Sequence, residues 1–463
     1  MGSLEKIYDK HINLQLGWPT PLLFPSKLLT EATQETLLNN KVAAQTLVYG
    51  PDPGHELVRT GTAEWLTRFY HPEVGDVQAD RIFITPGASS ALSMLLTRFT
   101  DPSFTQYIWM IEPTYFLACP SFQEAGFHGR LRGVPEDTGG LDIEFLRSGL
   151  VEAEAERCRK KTTDGLAFAR SSKVYRHIIY MVPTFSNPSA KVMSLRRRKE
   201  VVQLAREFDA LIISDDVYDW LRWPHPNSPD GAEMPKPLPR LVDVDCAMPG
   251  SSIWGNAVSN GSFSKIVAPG VRVGWIEGSP FIAKELCKIG PVHSGGCQSQ
   301  LSSMLIGQML VSGKLEEHIQ STLIPVYQRR HRAMLKSIQM HLLPLGFKIP
   351  SIKTVEGNGD EAGLAGGFFL YLEFPTGSPP AETVAKVALE EFNLRIAHGG
   401  MMCVAGDAGS VQRGKKGFGQ GARLCWAWHE EADIDEGIQR LALAFRSLPQ
   451  CTGAIKQLQT DET

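Results

Sequence analysis

Apolar positions recur along this chain in two rhythms, and their alternation predicts the architecture. From about residue 80, short apolar runs are separated by helical stretches, as in a parallel sheet whose strands are joined by crossover helices. Residues 81–85, 108–111, 177–182 and 210–214 read as strands, and 89–97 and 195–208 as helices between them. Upstream, Leu57, Gly61, Trp65 and Phe69 fall four apart on one helical face, after the turn cluster Tyr49-Gly50-Pro-Asp-Pro-Gly54. Residues 1–48, with an apolar segment from Ile12 to Gly17 and then Pro19 and Pro21, read as an arm crossing a surface. The segment 152–173 is charged and then small and polar, an expected exposed excursion. Residues 224–250 hold many prolines and few periodic apolar positions, and read as a long surface loop.

A helical pattern from Gln298, interrupted near Ser312 and Gly313, runs through Tyr327 and leads out of this first unit. Beyond about residue 330, strands at 368–374 and 423–428 and helices at 381–392 and 434–445 predict a smaller α/β unit, ahead of a polar tail at 452–463. The expected fold class is therefore α/β. A mostly parallel central sheet flanked by helices occupies a large domain, 49–329. A smaller α/β domain takes 330–463, and residues 1–48 supply the arm and part of the small domain. At 463 residues the chain suits two domains better than one core.

Composition narrows the functional classes. Hydrophobic and charged shares of 43% and 21% are those of an ordinary globular protein. Against 50 Asp and Glu stand 47 Lys and Arg, a net charge of −3 that offers no basic surface to nucleic acid or membrane. The eight cysteines are scattered, with no Cys-x-x-Cys pair and no Cys/His cluster at metal spacing. They read as reduced thiols, and no metal is expected. The N-terminus lacks the apolar stretch of a signal peptide, and no run is long enough to span a bilayer, so the expected location is cytoplasmic.

The chemistry gathers around Gly-Ser-Phe-Ser-Lys-Ile-Val-Ala-Pro-Gly-Val-Arg-Val, residues 261–273. An isolated lysine is normally a solvated charge. Lys265 instead follows Ser262 and Ser264 and precedes Arg272 by seven residues, past a Pro-Gly turn. A covalently held, phosphorylated carbonyl cofactor needs such a set: an amine for a Schiff base, with hydroxyls and a guanidinium fork for the phosphate. Ser-Phe-Ser-Lys with Ala-Pro-Gly-Val-Arg resembles the cofactor-lysine motif of fold-type I pyridoxal-phosphate (PLP) enzymes. The family is aminotransferase class I/II, and the branch the kynurenine/2-aminoadipate-type and aromatic aminotransferases.

Four further motifs stand at predicted strand ends, where open α/β sheets bind ligands. Thr85-Pro-Gly87-Ala88-Ser89 opens a helix and, alone, reads as an N-cap; the resemblance makes it the phosphate turn. Tyr115, in Glu-Pro-Thr-Tyr, is otherwise half-buried packing, and in the family an aromatic there stacks on the cofactor ring. Asn187, before Pro188, marks a turn by itself, and in the family donates to the cofactor's phenolic oxygen. In Ser214-Asp215-Asp216-Val-Tyr218 the carboxylates could merely cap a turn. The family pattern Asp-x-x-Tyr makes Asp215 the partner of the ring nitrogen and Tyr218 a second donor to the phenolic oxygen.

The resemblance covers roughly residues 10–447 and implies more. Tyr49 would reach the neighbouring subunit's phosphate in a homodimer with shared active sites. Arg423 would grip the substrate α-carboxylate, with Gly17 and Asn187 in the substrate site, and Gly366-Gly367-Phe-Phe matches the entry to the small domain. Lys265, Asp215 and Tyr218 are the expected catalytic set. Gly87, Ala88, Ser89, Tyr115, Asn187, Ser262, Ser264, Arg272 and Tyr49 complete the expected cofactor site. The implied reaction is transfer of an amino group between an L-amino acid and a 2-oxo acid through a Lys265 Schiff base. The alternative is a PLP-dependent lyase or a carbon–carbon or carbon–heteroatom bond-forming synthase on an amino-acid substrate. Three departures point to an atypical substrate, the first being the length of the 224–250 loop. Ala88 stands where many relatives carry serine, and His398-Gly-Gly-Met-Met-Cys-Val-Ala-Gly-Asp407 does not reproduce the usual Pro-Gly-x-x-Phe.

Overall fold

Among the described residues fourteen strands form in chain order: β1 (Ile12–Asn13), β2 (Ile82–Thr85), β3 (Tyr107–Glu112), β4 (Leu131–Pro135), β5 (His177–Met181), β6 (Ala210–Asp215), β7 (Arg222–Pro224), β8 (Ala257–Ser262), β9 (Gly274–Glu277), β10 (Leu364–Gly366), β11 (Phe369–Glu373), β12 (Leu394–Arg395), β13 (Ala397–His398) and β14 (Gly421–Cys425). They are seen in a computed structural model, which describes residues 8–160, 173–226, 228, 234–350 and 363–449. Every position of β5 and β6 is buried, which is why those runs read as continuously apolar instead of alternating.

Seven strands make the main sheet, in the order β2-β9-β8-β6-β5-β3-β4. Strand β9 runs antiparallel to both its neighbours, and every other pair is parallel. Alternate residues serve opposite faces. Ile178 and Tyr180 of β5 share a core with Leu92, Leu95 and Phe99 of the helix Ala88–Phe99, while Ile179 and Met181 pack with Val201, Val202 and Leu204 of the helix Leu195–Glu207. The sheet thus lies between helical layers, as an α/β fold requires.

A second sheet, β11-β14-β13, is antiparallel throughout. The helices Ile324–His341, Ala381–Phe392 and Glu431–Ser447 cover it through Met334, Ile338, Val384, Ala388, Ile438 and Phe445. Strand β1 pairs in parallel with β12, Asn13 opposite Arg395, in a separate two-stranded sheet, so the N-terminal segment returns to the strand that precedes β13. The predicted helix break falls at Gly313, in the left-handed conformation at φ 72°, before the helix Lys314–His318.

Three readings of the sequence are corrected. The arm is largely helical, with α1 (Ser26–Leu37) and α2 (Asn40–Leu47), the latter capped by the Asn39 carboxamide on the Lys41 and Val42 N–H groups. Its periodicity was masked because Leu37, Leu38 and Leu47 face solvent. The excursion at 152–173 begins inside the helix Ile143–Lys160, whose later turns bury Ala153 and otherwise carry ion pairs such as Glu154 with Arg157; residues 161–172 lie outside the described set. The loop at 224–250 contains the helix Leu241–Ala247, buried over Leu241, Val242, Asp243, Val244 and Asp245. Buried charges paired with one another look, in sequence, like solvated ones. The tail at 452–463 also lies outside the described residues. Among the described residues no helix is long and apolar enough to cross a membrane.

Candidate active site

A cavity of about 430 Å³ opens at the carboxyl ends of the main sheet, bounded on the other side by β14 and the segment following β1. At one end Gly87 turns the chain from β2 into the helix Ala88–Phe99, with φ 97°. A Cβ there would sit 2.6 Å from Arg272 Nη2, so glycine is needed for both conformation and space. Arg272 Nη2 donates to Pro86 O at 2.9 Å and Nη1 to Pro269 O at 3.0 Å. Ser262 Oγ lies 2.9 Å from Ser264 Oγ and accepts from the Ser264 N–H at 3.1 Å. Ala88, Ser89, Ser262, Ser264 and Arg272 all line this end. Three serine hydroxyls, a guanidinium and the open N–H groups of a helix N-terminus are groups that can hold an anion.

Toward the centre, Asp215 at the end of β6 lines the cavity and accepts from Tyr180 Oη at 2.9 Å. Burial lifts its carboxyl to about 6, against the pull of the Tyr180 hydroxyl and the Lys265 ammonium. Asp216 is not in the cavity wall. It receives Ser214 Oγ at 2.5 Å and Ser259 Oγ at 2.6 Å on the far side of the strand. Tyr115 and Tyr218 line the cavity, and burial raises both hydroxyls above their ordinary value.

Lys265 projects from the short turn after β8 and donates to Gly17 O at 2.8 Å. Burial lowers its amine to about 8, and Arg423 pushes the same way, while Cys425 and Asp215 oppose. Gly17 is pressed against Phe369, where a Cβ would come within 2.7 Å of the ring. Arg423, on β14, gives Nη2 to Gln15 O at 2.7 Å and Nη1 to Asn187 Oδ1 at 2.6 Å, and lies 4.1 Å over the Phe369 ring. A guanidinium has no acceptor, so Asn187 presents its oxygen to Arg423 and keeps its N–H groups for the cavity. Among the described residues the buried Arg423 Nε and Asn260 Oδ1 have no hydrogen-bond partner. Tyr49 stands apart, 86% exposed and outside the cavity wall.

Sequence reasoning missed several lining residues. Tyr180 and Asn260 sit inside strands, where the signal available was a polar group at a fully buried position. Phe369 fell in a predicted strand with no chemistry attached. Trp18, Phe116 and Arg395 carried no local signal. The unusual segment at 398–407 packs against the loop bearing Tyr115, where Thr114 N donates to Met402 O at 2.9 Å, and against β4, where Gly133 N donates to Asp407 Oδ2 at 2.8 Å.

The donor set fits pyridoxal phosphate. It offers an anion cradle at the Gly87 turn, a buried amine, a carboxylate deep in the wall and aromatic rings beside the space between them. Comparisons with known proteins agree. The chain is 33% identical over 95% of its length, and 97% of the other's, to an uncharacterized protein of Saccharomyces cerevisiae. It is 29% identical to aromatic-amino-acid aminotransferase 1 of Thermococcus litoralis, over 93% of this chain and 87% of that one. The structure of Pyrococcus horikoshii kynurenine aminotransferase in complex with PMP superposes with a TM-score of 0.71 at 25% identity, covering 94% of this chain and 91% of that one. The family model for aminotransferase class I and II matches residues 12–441, and the chain belongs to that family of pyridoxal-phosphate-dependent enzymes.

Proposed function

We propose that this enzyme transfers an amino group between an L-amino acid and a 2-oxo acid with Lys265 as the cofactor-bearing and proton-moving residue. The observation that carries the reading is a buried amine lowered to about 8, in one cavity with Asp215 and Arg423. Near neutral pH such an amine exchanges protons readily in both directions, as a general acid and base must. When bound, pyridoxal phosphate supplies an aldehyde that condenses with amines and a ring that draws electrons from the substrate Cα.

Each remaining residue has a task in this reading. Arg272, Ser262, Ser264 and the N–H groups after Gly87 bind the phosphate; Ala88 contributes backbone alone. Tyr115 would stack on the ring, Asn187 and Tyr218 would donate to its phenolic oxygen, and Asp215 would keep a proton on its nitrogen. Arg423 forks onto the α-carboxylate beside Gly17 and orients the Cα–H bond toward Lys265. The chain divides near residue 330, so the C-terminal sheet carries Arg423 toward the main sheet and excludes water. A homodimer would complete the site, since exposed Tyr49 follows exposed Leu47 and Val48 at the end of α2 and is free to reach a neighbour's phosphate. A cytoplasmic location goes with this reading.

Absorption spectroscopy tests it. An L-amino acid should convert the enzyme's yellow cofactor band to that of the amine form, and a 2-oxo acid should restore it. Lys265→Ala should lower turnover by about 10⁴-fold. Conversion in the parent with full turnover in the variant would remove Lys265 from the reaction. Sedimentation of the same cofactor-loaded sample as a monomer would remove the shared interface.

A further inference from the structure

Asn260 lines the cavity but has no task in the reading above, on which this inference rests. A buried asparagine is ordinarily a core group whose donors and acceptor are all met. Asn260, 1% exposed on β8, meets only its donors. Its Nδ2 donates to Ala88 O at 3.1 Å and to Asp215 Oδ1 at 3.5 Å, one acceptor for each N–H. Its Oδ1 is buried and, among the described residues, has no partner. Turning the amide over would not relieve this, because the oxygen would then face two oxygens. The orientation is therefore fixed, and an acceptor stays unmet in a residue of the cavity wall.

The placement is as telling as the orphan atom. Strands β6 and β8 pair in parallel, with Ser214 opposite Ser259 and Asp215 opposite Asn260. Successive side chains alternate between faces. Ser259 accordingly donates to Asp216 Oδ2 at 2.6 Å on the far side, and Asn260 to Asp215 on the cavity side. Tyr180 Oη holds the other Asp215 oxygen at 2.9 Å, so each carboxylate oxygen has a donor and keeps a lone pair for a ligand. The two acceptors of Asn260 also belong to different ends of the site. Ala88 opens the helix at the phosphate turn, and Asp215 is the partner of the ring nitrogen.

We propose that Asn260 is a positioning residue, whose one carboxamide ties the Asp215 carboxylate to the phosphate turn and adds an acceptor beside it. With Tyr180 it fixes the plane of the carboxylate and favours its ionised form, so that the wall accepts a proton-bearing nitrogen. The bond to Asp215 is the longer of the two, and the effect expected through it is correspondingly modest.

The first test reads Asp215 in the cofactor-free protein. The groups that face this carboxyl are Tyr180, Lys265, Tyr115 and Tyr218, and Asn260 itself does not titrate. The gain in Tm from Asp215→Asn should grow with pH and level off near 6, where burial has placed the carboxyl. In the Asn260→Leu background it should level off about 0.5–1 pH unit higher, since a donor to the ionised form is gone. Asn260→Ala, which removes the amide without adding bulk, is read in the same way. The second test measures pyridoxamine phosphate binding by calorimetry. Asn260→Leu should weaken it by about 10-fold when Asp215 is present and by less than about 3-fold in the Asp215→Asn background. An unmoved limit would overturn the assignment. Equal losses of affinity in both backgrounds would also overturn it, since they would make Asn260 a structural residue only. If the parent bound no pyridoxamine phosphate, the cofactor reading would fall, and the pH limit of the Tm difference would still decide Asn260.

Discussion

Asp215 ends β6 and Asp216 follows it, both buried, yet they face opposite worlds. On the cavity side Asp215 has Tyr180 as its hydrogen-bond donor at normal distance, near Lys265, whose amine donates to the Gly17 carbonyl. On the far side nearly every charge is answered. Asp216 takes two serine hydroxyls, and Asp219 accepts from Tyr70 Oη at 2.8 Å. Arg240 forks onto Asp243 at 2.8 and 2.9 Å, bonds Glu277 at 2.5 Å, and lies 4.3 Å over the Tyr70 ring. Burial raises the carboxyls of Asp215, Asp216 and Asp219 alike. The difference lies in the partners. Saturated charges belong to the core, and charges left short of partners belong to a site that a ligand completes.

The largest effect expected on the far side comes from Arg240→Met, which strands Asp243 as a buried charge and leaves the buried Glu277 with Arg81 alone. It should destabilise the fold by about 3–5 kcal/mol, read from denaturant unfolding, while the folded fraction keeps its turnover. A variant that unfolded normally but lost activity would break the comparison.

Asp215→Asn should do the reverse, lowering kcat by about 10²–10³-fold without loss of stability. The sign of its pH dependence sharpens the contrast. Because Asp215 is raised in the fold to about 6, its contribution to stability is full below the ordinary carboxylate range and is lost as pH rises through about 6. Asparagine stays neutral, so the cofactor-free variant should gain in Tm relative to the cofactor-free parent between about pH 4 and pH 7. A constant difference across that range would mean that Asp215 is not raised.

The smallest effect belongs to Tyr180→Phe. Its hydroxyl holds the Asp215 carboxyl down, so removal should shift the acid limb of the pH–rate profile upward and cost about fivefold in turnover at neutral pH. An unshifted limb would mean that Tyr180 does not tune Asp215.

Strands β3, β5 and β6 were legible because each is an uninterrupted apolar run, and the helix Ala381–Phe392 because its apolar positions keep one face. Motifs gave Lys265, Asp215, Asn187 and Arg423, whose chemistry leaves a local signature in Pro-Gly turns and strand ends. The helix Leu241–Ala247 was missed because Arg240, Asp243 and Glu277 are buried by satisfying one another, a condition that no local pattern encodes. Helices α1 and α2 were missed because their leucines face outward.

Sequence alone determined the alternation of strand and helix, the residue types of an anion turn and a reactive lysine, and the spacing that separates Asp215 from Asp216. Tertiary structure alone decided which side of β6 each aspartate faces, that Asn187 turns its oxygen to Arg423, and that Arg395 stands at the cavity rim beside β1. Local patterns fix backbone periodicity over a few residues. The partners that set charge and protonation arrive from 236 residues away, as between Asn187 and Arg423, or from 248, as between Gly17 and Lys265. Only folding brings them within hydrogen-bond reach.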